Sequence, residues 1–303
     1  NDLEPGMTYE LRVEARAPGA AAAGSTLEGG FATAPAADDD SHKVVFTVST
    51  GQAFWDQDRE DGFQIYPTML RKTRPDFFVH TGDIVYYDNH AKNVDLAHWH
   101  WQRTYSRATN EEFHRQVASY FIKDDHDTWD NDCWSTKASR MGSFTWDDGI
   151  RIFKEQVPMG ERTWRTFRWG KDLQFWMVEG RDFRSPNPDP DGPDKTIWGA
   201  EQLAWVQQSM SESDATFRVL ISPTPIVGPD RSGKKDNHSN SNFQHEGRIV
   251  RAFLAELKNA VVVCGDRHWQ YHSEDPKTGL REYSCGPASN EHAGGWSQDQ
   301  YVE

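Results

Sequence analysis

Short apolar runs followed by polar loops recur along most of the chain. Six segments have this pattern: residues 43–50, 75–83, 119–127, 173–182, 217–225 and 260–268. Continuous apolar runs of this kind are typical of strands buried on both faces of a sheet. Between some of them, residues 201–210 and 248–259 have the apolar spacing of helices. The pattern therefore predicts an α/β domain in which strands and helices alternate, at least in its later half.

The start of the chain has a different pattern. Residues 8–13 and 30–34 read as two strands, and the Ala, Pro and Asp-rich segment after them is typical of a linker. The two strands resemble the last two of a fibronectin type III or Ig-like module, but two strands cannot form a sandwich. Either the front of that module is missing, or a lone hairpin docks on the main domain. We predict a module remnant at 1–35, a linker at 36–42 and the main domain at 43–303.

Composition narrows the classes of function. The 303 residues include 33 Lys and Arg against 47 Asp and Glu, a formal net charge of −14 that argues against a broad basic surface for nucleic acid. The three cysteines, Cys133, Cys264 and Cys285, form no CxxC pair, so neither a disulfide framework nor a structural zinc module is indicated. No apolar run is long enough to span a membrane. The chain begins without a signal peptide, as a processed secreted protein and a cytoplasmic one both would.

Carboxylates and imidazoles stand at the ends of three of the predicted strands. In α/β sheets, loops at the carboxyl ends of strands gather into one site. Hard oxygen ligands with imidazole suit a pair of divalent or trivalent metal ions, which a shared carboxylate can bridge. A single aspartate at a strand end is as often a turn or helix-capping residue, so the prediction depends on the whole set. The set is Asp83, Asp124, Asp125, His126, Asp266 and His268.

Three of these segments resemble the motifs of a known family. HTGDIVYYD, DDHD and GDRHWQ, in this order and spacing, are similar to the GDxxY, DDHE and GDxH motifs of PhoD-like alkaline phosphatases and phosphodiesterases, a branch of the calcineurin-like metallophosphoesterases. The resemblance extends from Lys43 to the C-terminus. It implies a four-layer αββα sandwich around a dinuclear metal centre, where a metal-bound hydroxide hydrolyses phosphate monoesters, diesters or both. It also implies a secreted protein, periplasmic or extracellular.

The same resemblance assigns roles to individual residues. Asp83 would bridge the two metal ions, and Tyr86 would be a phenolate ligand of Fe(III). Asp125, preceded by the further candidate ligand Asp124, stands where related branches have an asparagine that binds the second metal. Asp266 and His268 match the GDxH pair. His126 would be the catalytic histidine, which stabilises or protonates the departing oxygen.

One departure from the family pattern concerns the metals. Where the family has a cysteine ligand of iron in an SCQ segment, this chain reads STGQ, with Thr50 and Gly51. No thiolate is available there, which weakens the preference for iron. The expected cofactors are two metal ions, Fe(III) and/or calcium, with Mn, Zn or Mg as alternatives.

The substrate side is less constrained by the sequence. Arg181 and Arg184 follow a predicted strand, and a guanidinium fork matches two phosphate oxygens. A structural salt bridge to one of the many carboxylates is an equally good explanation for each arginine. Asn131 is a third candidate for contact with substrate or metal. Fold does not guarantee turnover, so a non-catalytic cell-surface or ligand-binding protein on a degenerate scaffold is the alternative function. The oligomeric state and the natural substrate are left open.

Overall fold

The computed structural model describes residues 3–88, 90–231 and 233–294. Within these ranges the chain has eleven strands and six α-helices. The strands are β1 (Thr8–Ala15), β2 (Ser25–Ala32), β3 (Phe46–Ser49), β4 (Phe77–His80), β5 (Ala118–Phe121), β6 (Arg165–Trp169), β7 (Leu173–Met177), β8 (Phe217–Ser222), β9 (Ala260–Cys264), β10 (Gln270–Glu274) and β11 (Arg281–Cys285). The helices are α1 (Ile65–Thr68), α2 (Val94–Tyr105), α3 (Ala108–His114), α4 (Trp146–Gln156), α5 (Gly199–Glu212) and α6 (Gln244–Glu256).

The strands of the described residues form three sheets. β3, β4 and β5 make a parallel sheet in the order β3-β4-β5. A mixed six-stranded sheet has the order β10-β11-β9-β8-β7-β6, in which β7, β8, β9 and β11 run parallel. β1 and β2 form a separate antiparallel hairpin. All six segments predicted as buried strands are strands, which confirms that part of the sequence analysis.

The two larger sheets pack face to face through a shared aromatic core. Phe77 of β4 stacks on Phe175 of β7, with ring centroids 4.9 Å apart, and its ring also lies 4.6 Å from Trp169 of β6. Neighbouring inward positions on both sheets, such as Val79 and Ile221, are also fully buried. Close packing of large apolar side chains between the sheets is the main stabilising contact of the domain.

Helices cover the outer faces of both sheets. Trp176 and Leu220 point away from the shared core and pack with apolar residues of α5 and α6. On the other side, Phe78 of β4 packs against Tyr66 of α1 and Phe113 of α3. The order helices, sheet, sheet, helices is the predicted four-layer αββα architecture.

The register of the strands brings their loops together. In the smaller sheet Ser49 pairs with His80, and His80 pairs with Phe121, so β3, β4 and β5 end level with one another. In the larger sheet Ser222 at the end of β8 pairs with Cys264 at the end of β9. The two sheets meet at these strand ends, because Thr50, just after β3, forms a β-bridge with Pro287, just after β11. Loops that are far apart in sequence therefore face the same edge.

The N-terminal hairpin contacts the main domain close to α3. The Gly30 amide donates a hydrogen bond to the carbonyl of Arg115 at 2.7 Å, and the Arg115 guanidinium donates to the carbonyl of Glu28 at 3.2 Å. The segment predicted as a linker lies against the β6–β7 turn, where Lys171 N donates to the Asp39 carbonyl. β2 begins earlier than predicted, and the division at 35 and 42 stays a prediction.

Candidate metal centre

The backbone at the strand ends is held in left-handed conformations. Asp83, after β4, has φ 57°, and Asp266, after β9, has φ 61°. Non-glycine residues adopt such angles at a cost of about 1 kcal/mol or more, and they concentrate at functional sites. Gly82 brings two loops into contact, because a Cβ there would lie 2.5 Å from the Cβ of Asp124. The chain is therefore strained and tightly packed where the predicted ligands stand.

One group of donor atoms surrounds the phenol of Tyr86. The Tyr86 hydroxyl lies 3.3 Å from Asp83 Oδ2, 3.4 Å from His268 Nε2 and 2.5 Å from His292 Nε2. His268 Nε2 also lies 3.1 Å from Asp83 Oδ2. These atoms come from loops after β4, β9 and β11. The structure thus brings together three predicted ligands, Asp83, Tyr86 and His268, and adds one that was not predicted.

A second group of donor atoms also includes Asp83. Ligand atoms of Asp83, Asp125 and His126 all lie within 4.8 Å of one another and could hold a metal ion. Asp266 lines the same opening. Burial, followed by repulsion from Asp236, raises the pKa of Asp266 to about 7, although the adjacent Arg267 opposes the shift. Carboxylates crowded in this way are stabilised as anions by a cation among them.

Buried oxygens without hydrogen-bond donors support a cation site here. Asp83 Oδ1 and Asp125 Oδ1 are buried and accept no hydrogen bond from the described residues. Asp266 Oδ2, by contrast, is already compensated by the Arg267 guanidinium at 2.5 Å. A buried carboxylate oxygen is costly without a donor or a cation. The donor set of oxygens and imidazoles fits the metal ions implied by the sequence.

A small cleft opens over these carboxylates. Its volume is about 210 Å³, and its walls combine the acidic residues with basic side chains and an amide. The lining includes Asp83, Asp125, His126, Asn131, Arg231, Lys234, Asp266, Arg267 and His268. Lys234 Nζ lies 3.0 Å from Asp132 Oδ1 and 3.0 Å from Asp236 Oδ2. A cleft lined by both carboxylates and basic side chains suits metal ions bound by the carboxylates and an anion bound by the basic groups.

Comparison with known proteins agrees with this geometry. A family model described as PhoD-like phosphatase matches residues 46–298. The chain belongs to the PhoD-like phosphatase family. A comparison with curated proteins found no significant match.

Two solved structures share the fold of this PhoD-like chain. The structure of PhoD aligns with a TM-score of 0.77 and 18% identity, over 95% of this chain and 64% of that one. The purple acid phosphatase PPD1 from yellow lupin (Lupinus luteus) seeds aligns with a TM-score of 0.59 and 15% identity, over 95% of this chain and 51% of that one. The chain thus spans 64% and 51% of these two proteins, and at such low identity the likeness shows the fold alone.

Within the PhoD-like site, Arg181 lies beneath the carboxylates and away from the cleft. Its side chain is fully buried, and both Nε and Nη2 lie 2.6 Å from Asp124 Oδ1. Nη2 is also 3.7 Å from Asp125 Oδ1. Of the two explanations given for Arg181, this placement favours the structural salt bridge, because no surface of the side chain is exposed to a phosphate. Asp124 was predicted as a metal ligand. Its Oδ1 pairs with Arg181, and its Oδ2 accepts no hydrogen bond in the described chain.

Replacing Arg181 by methionine should destabilise the protein strongly. Burial raises the pKa of Asp124 well above its usual range, and Arg181 is the main group that opposes this shift. Breaking a buried ion pair by removing one partner costs about 3–5 kcal/mol, because the other charge stays buried. We expect urea unfolding of Arg181→Met to show a loss of this size.

Two further variants make this stability test specific. Arg151→Met removes an exposed arginine of α4 that pairs with Asp148 and Glu155, and it should change stability little. Adding Asp124→Asn to Arg181→Met should restore part of the loss, because the unpaired charge is gone. An equal, small effect of both single arginine variants would contradict the structural role of the pair.

The other two predicted substrate residues differ in position. Arg184 is buried, donates from Nε to the Gly180 carbonyl at 2.9 Å and lies over the ring of Phe243. It does not line the cleft, which again favours the structural explanation over contact with substrate. Asn131 is exposed and lines the cleft, where its backbone amide donates to Asp88 Oδ1 at 2.8 Å. Of the three, only Asn131 stands where a substrate can reach it.

Sequence reasoning missed several residues of the site. Asp88 lies 2.5 Å from His126 Nδ1, and Lys234 supplies a cation at the cleft. His292 reaches Tyr86 and is itself held by Asp56, whose Oδ2 is 2.7 Å from Nδ1. Asp88 had a usable signal, since it ends the quoted HTGDIVYYD motif. Lys234, Asp56 and His292 stand in loops without a recognisable spacing.

Proposed function

We propose that the protein is a metal-dependent hydrolase of phosphate esters, acting on monoesters, diesters or both. The observation that carries the proposal is the convergence of Asp83, Tyr86, Asp125, Asp266 and His268 at one edge of two sheets, with carboxylate oxygens that accept no hydrogen bond in the described chain. Membership of the PhoD-like phosphatase family gives the reaction class.

Two ions that share Asp83 fit this arrangement best. Asp83, Tyr86 and His268 would hold the first ion, and Asp83, Asp125 and Asp266 would hold the second. Bound there, the ions supply Lewis-acid activation of water and of the phosphate oxygens. Fe(III) and calcium are the candidates that the family resemblance favours, and Mn, Zn and Mg suit the same donors.

His126 is placed to hold a proton for the leaving group. Burial alone would lower its pKa, but the carboxylates of Asp125, Asp83 and Asp88 raise it above its usual range when no metal ion is bound. Metal ions on Asp83 and Asp125 would oppose this shift, and Asp88 would remain as the carboxylate that supports the protonated imidazole. Asp88 accepts from Nδ1, which leaves Nε2 as the nitrogen that can face substrate. In the proposed reaction, Nε2 donates to the departing ester oxygen.

The basic wall of the cleft orients the phosphate. Lys234, Arg231 and Asn131 line the cleft together with the carboxylates. Their donors match non-bridging phosphate oxygens, which leaves the ester oxygen free to face His126. This assignment replaces the predicted role of the buried Arg181 and Arg184.

Activity on two simple substrates tests the proposal. We expect hydrolysis of p-nitrophenyl phosphate, bis(p-nitrophenyl) phosphate or both by protein as purified. Chelation should remove the activity, and one or more of the candidate metals should restore it. Metal analysis of untreated protein should find about two ions per chain. Silence on both substrates with every metal would instead favour the binding protein on a degenerate scaffold.

The location of the protein is proposed from its family. No helix of the described residues is both long and apolar enough to cross a membrane. A periplasmic or extracellular location is proposed from the family resemblance alone, and fractionation of the source cells tests it.

A further inference from the structure

The space beside residue 51, just after β3, is filled by side chains from distant parts of the chain. Gly51 follows β3 with φ 49°, and a Cβ at this residue would lie 2.9 Å from His292 Cδ2 and 3.1 Å from His292 Nε2. It would also lie 3.0 Å from His268 Nε2. The space for a side chain at residue 51 is thus occupied by imidazole.

His292 is fixed in a definite orientation. Asp56 Oδ2 lies 2.7 Å from His292 Nδ1, so Nδ1 carries the proton and Nε2 offers its lone pair. The Ser289 hydroxyl accepts from the His292 amide at 3.2 Å and donates to the Asp56 carbonyl, which ties the two loops together. A carboxylate that accepts from the far nitrogen is the usual support of a metal-binding histidine.

The free nitrogen of His292 points at the ligands of the first ion. Nε2 lies 2.5 Å from the Tyr86 hydroxyl, and the His292 and His268 rings have centroids 4.2 Å apart. Tyr86 and His268 both also approach Asp83 Oδ2. A hydrogen bond between His292 and Tyr86 alone would not explain why the His268 imidazole also approaches the Tyr86 hydroxyl. A shared metal ion would explain both contacts.

We propose that His292 is a further ligand of the ion held by Asp83, Tyr86 and His268. The inference rests on the proposed function, because it needs that ion to bind. The proposed donor set then has two neutral imidazoles and two anionic oxygens, one carboxylate and one phenolate. Such a mixed set suits borderline divalent ions such as Zn²⁺.

Metal content and metal environment test the inference directly. His292→Ala should lose one of the two ions after dialysis against a weak chelator, as measured by elemental analysis. Asp56→Asn should keep the ion but weaken its binding about 10- to 100-fold, because it removes only the support of the ligand. His272→Ala, an exposed histidine of β10, is the matched control and should keep both ions. Circular dichroism of each variant checks the fold.

The outcomes separate this inference from the proposed function. Wild-type protein that binds no metal overturns both. Wild-type protein with two ions, beside His292→Ala with the same stoichiometry and affinity, overturns the inference and leaves the proposed function standing. X-ray absorption at the metal edge gives an independent readout, since the imidazole scattering of wild-type protein should exceed that of a metal-saturated His292→Ala sample.

An exchange of ligands supplies a second test. Protein stripped of metal and loaded with Co²⁺ should show no thiolate-to-cobalt charge-transfer band. Gly51→Cys combined with His292→Ala should gain that band, because the sulfur then occupies the vacated space. Gly51→Cys alone should show little or no band, because the His292 imidazole already occupies that space. Equal bands in both variants would overturn the inference.

Discussion

Replacing Asp83 by asparagine should abolish phosphate-ester hydrolysis and release most of the bound metal. Asp83 is 1% exposed and lies between the two groups of donor atoms, so it is the carboxylate that both ions would share. Metal ions stabilise the charge of the transition state by several kcal/mol. At about 1.4 kcal/mol per tenfold change in rate, kcat/KM should fall by about 10³-fold or more.

Elemental analysis and kinetics of the same preparations check this result. Asp266→Asn should lose metal in the same way, because Asp266 serves the second group. Asp38→Asn is the control and should keep both metal and activity, because Asp38 is exposed and lies outside the three motifs. Full metal content and full activity in Asp83→Asn and Asp266→Asn would show that the dinuclear assignment is wrong.

His126→Ala should lower the rate about 10²- to 10⁴-fold while metal content stays near that of wild-type protein. The reason is that Asp88 holds His126 Nδ1, so that the other nitrogen serves the leaving group rather than an ion. The loss should be larger for poor leaving groups than for good ones, because good leaving groups need no proton. A series of aryl phosphates of increasing phenol pKa measures this dependence.

Asp88→Asn is the companion variant for His126. It keeps the side-chain shape but no longer stabilises the charged imidazole, so we expect a smaller loss with the same dependence on leaving group. The proximity of His126 to Asp83 and Asp125 also allows it to be a ligand. Loss of metal in His126→Ala would assign it that role and contradict the acid role.

The sequence by itself determined the main-domain strands that carry the predicted ligands. Apolar runs such as the one before Asp83 mark strands buried on both faces, and this property depends on the composition of a few consecutive residues. Strands β6, β10 and β11, by contrast, were not recognised. All three contain polar or charged residues within the run, so their sequences lack the continuous apolar pattern.

The ligands themselves could be predicted because each stands directly after such a strand. Parallel strands that end level place their following residues together, so Asp83, Asp125 and Asp266 needed only the strand assignment. The resemblance of three motifs to the PhoD-like family then supplied the reaction. Whether those residues bind metal stays a prediction until the experiments above are done.

Only the tertiary structure decided which charged residues are partners of one another. Arg181 and Arg184 look alike in sequence, both as arginines able to bind phosphate, but the fold buries both away from the cleft and pairs Arg181 with Asp124. His292 reaches Tyr86 across more than 200 positions of sequence. The direction of a side chain and its nearest charge depend on how distant loops pack, and local periodicity carries no information about that packing.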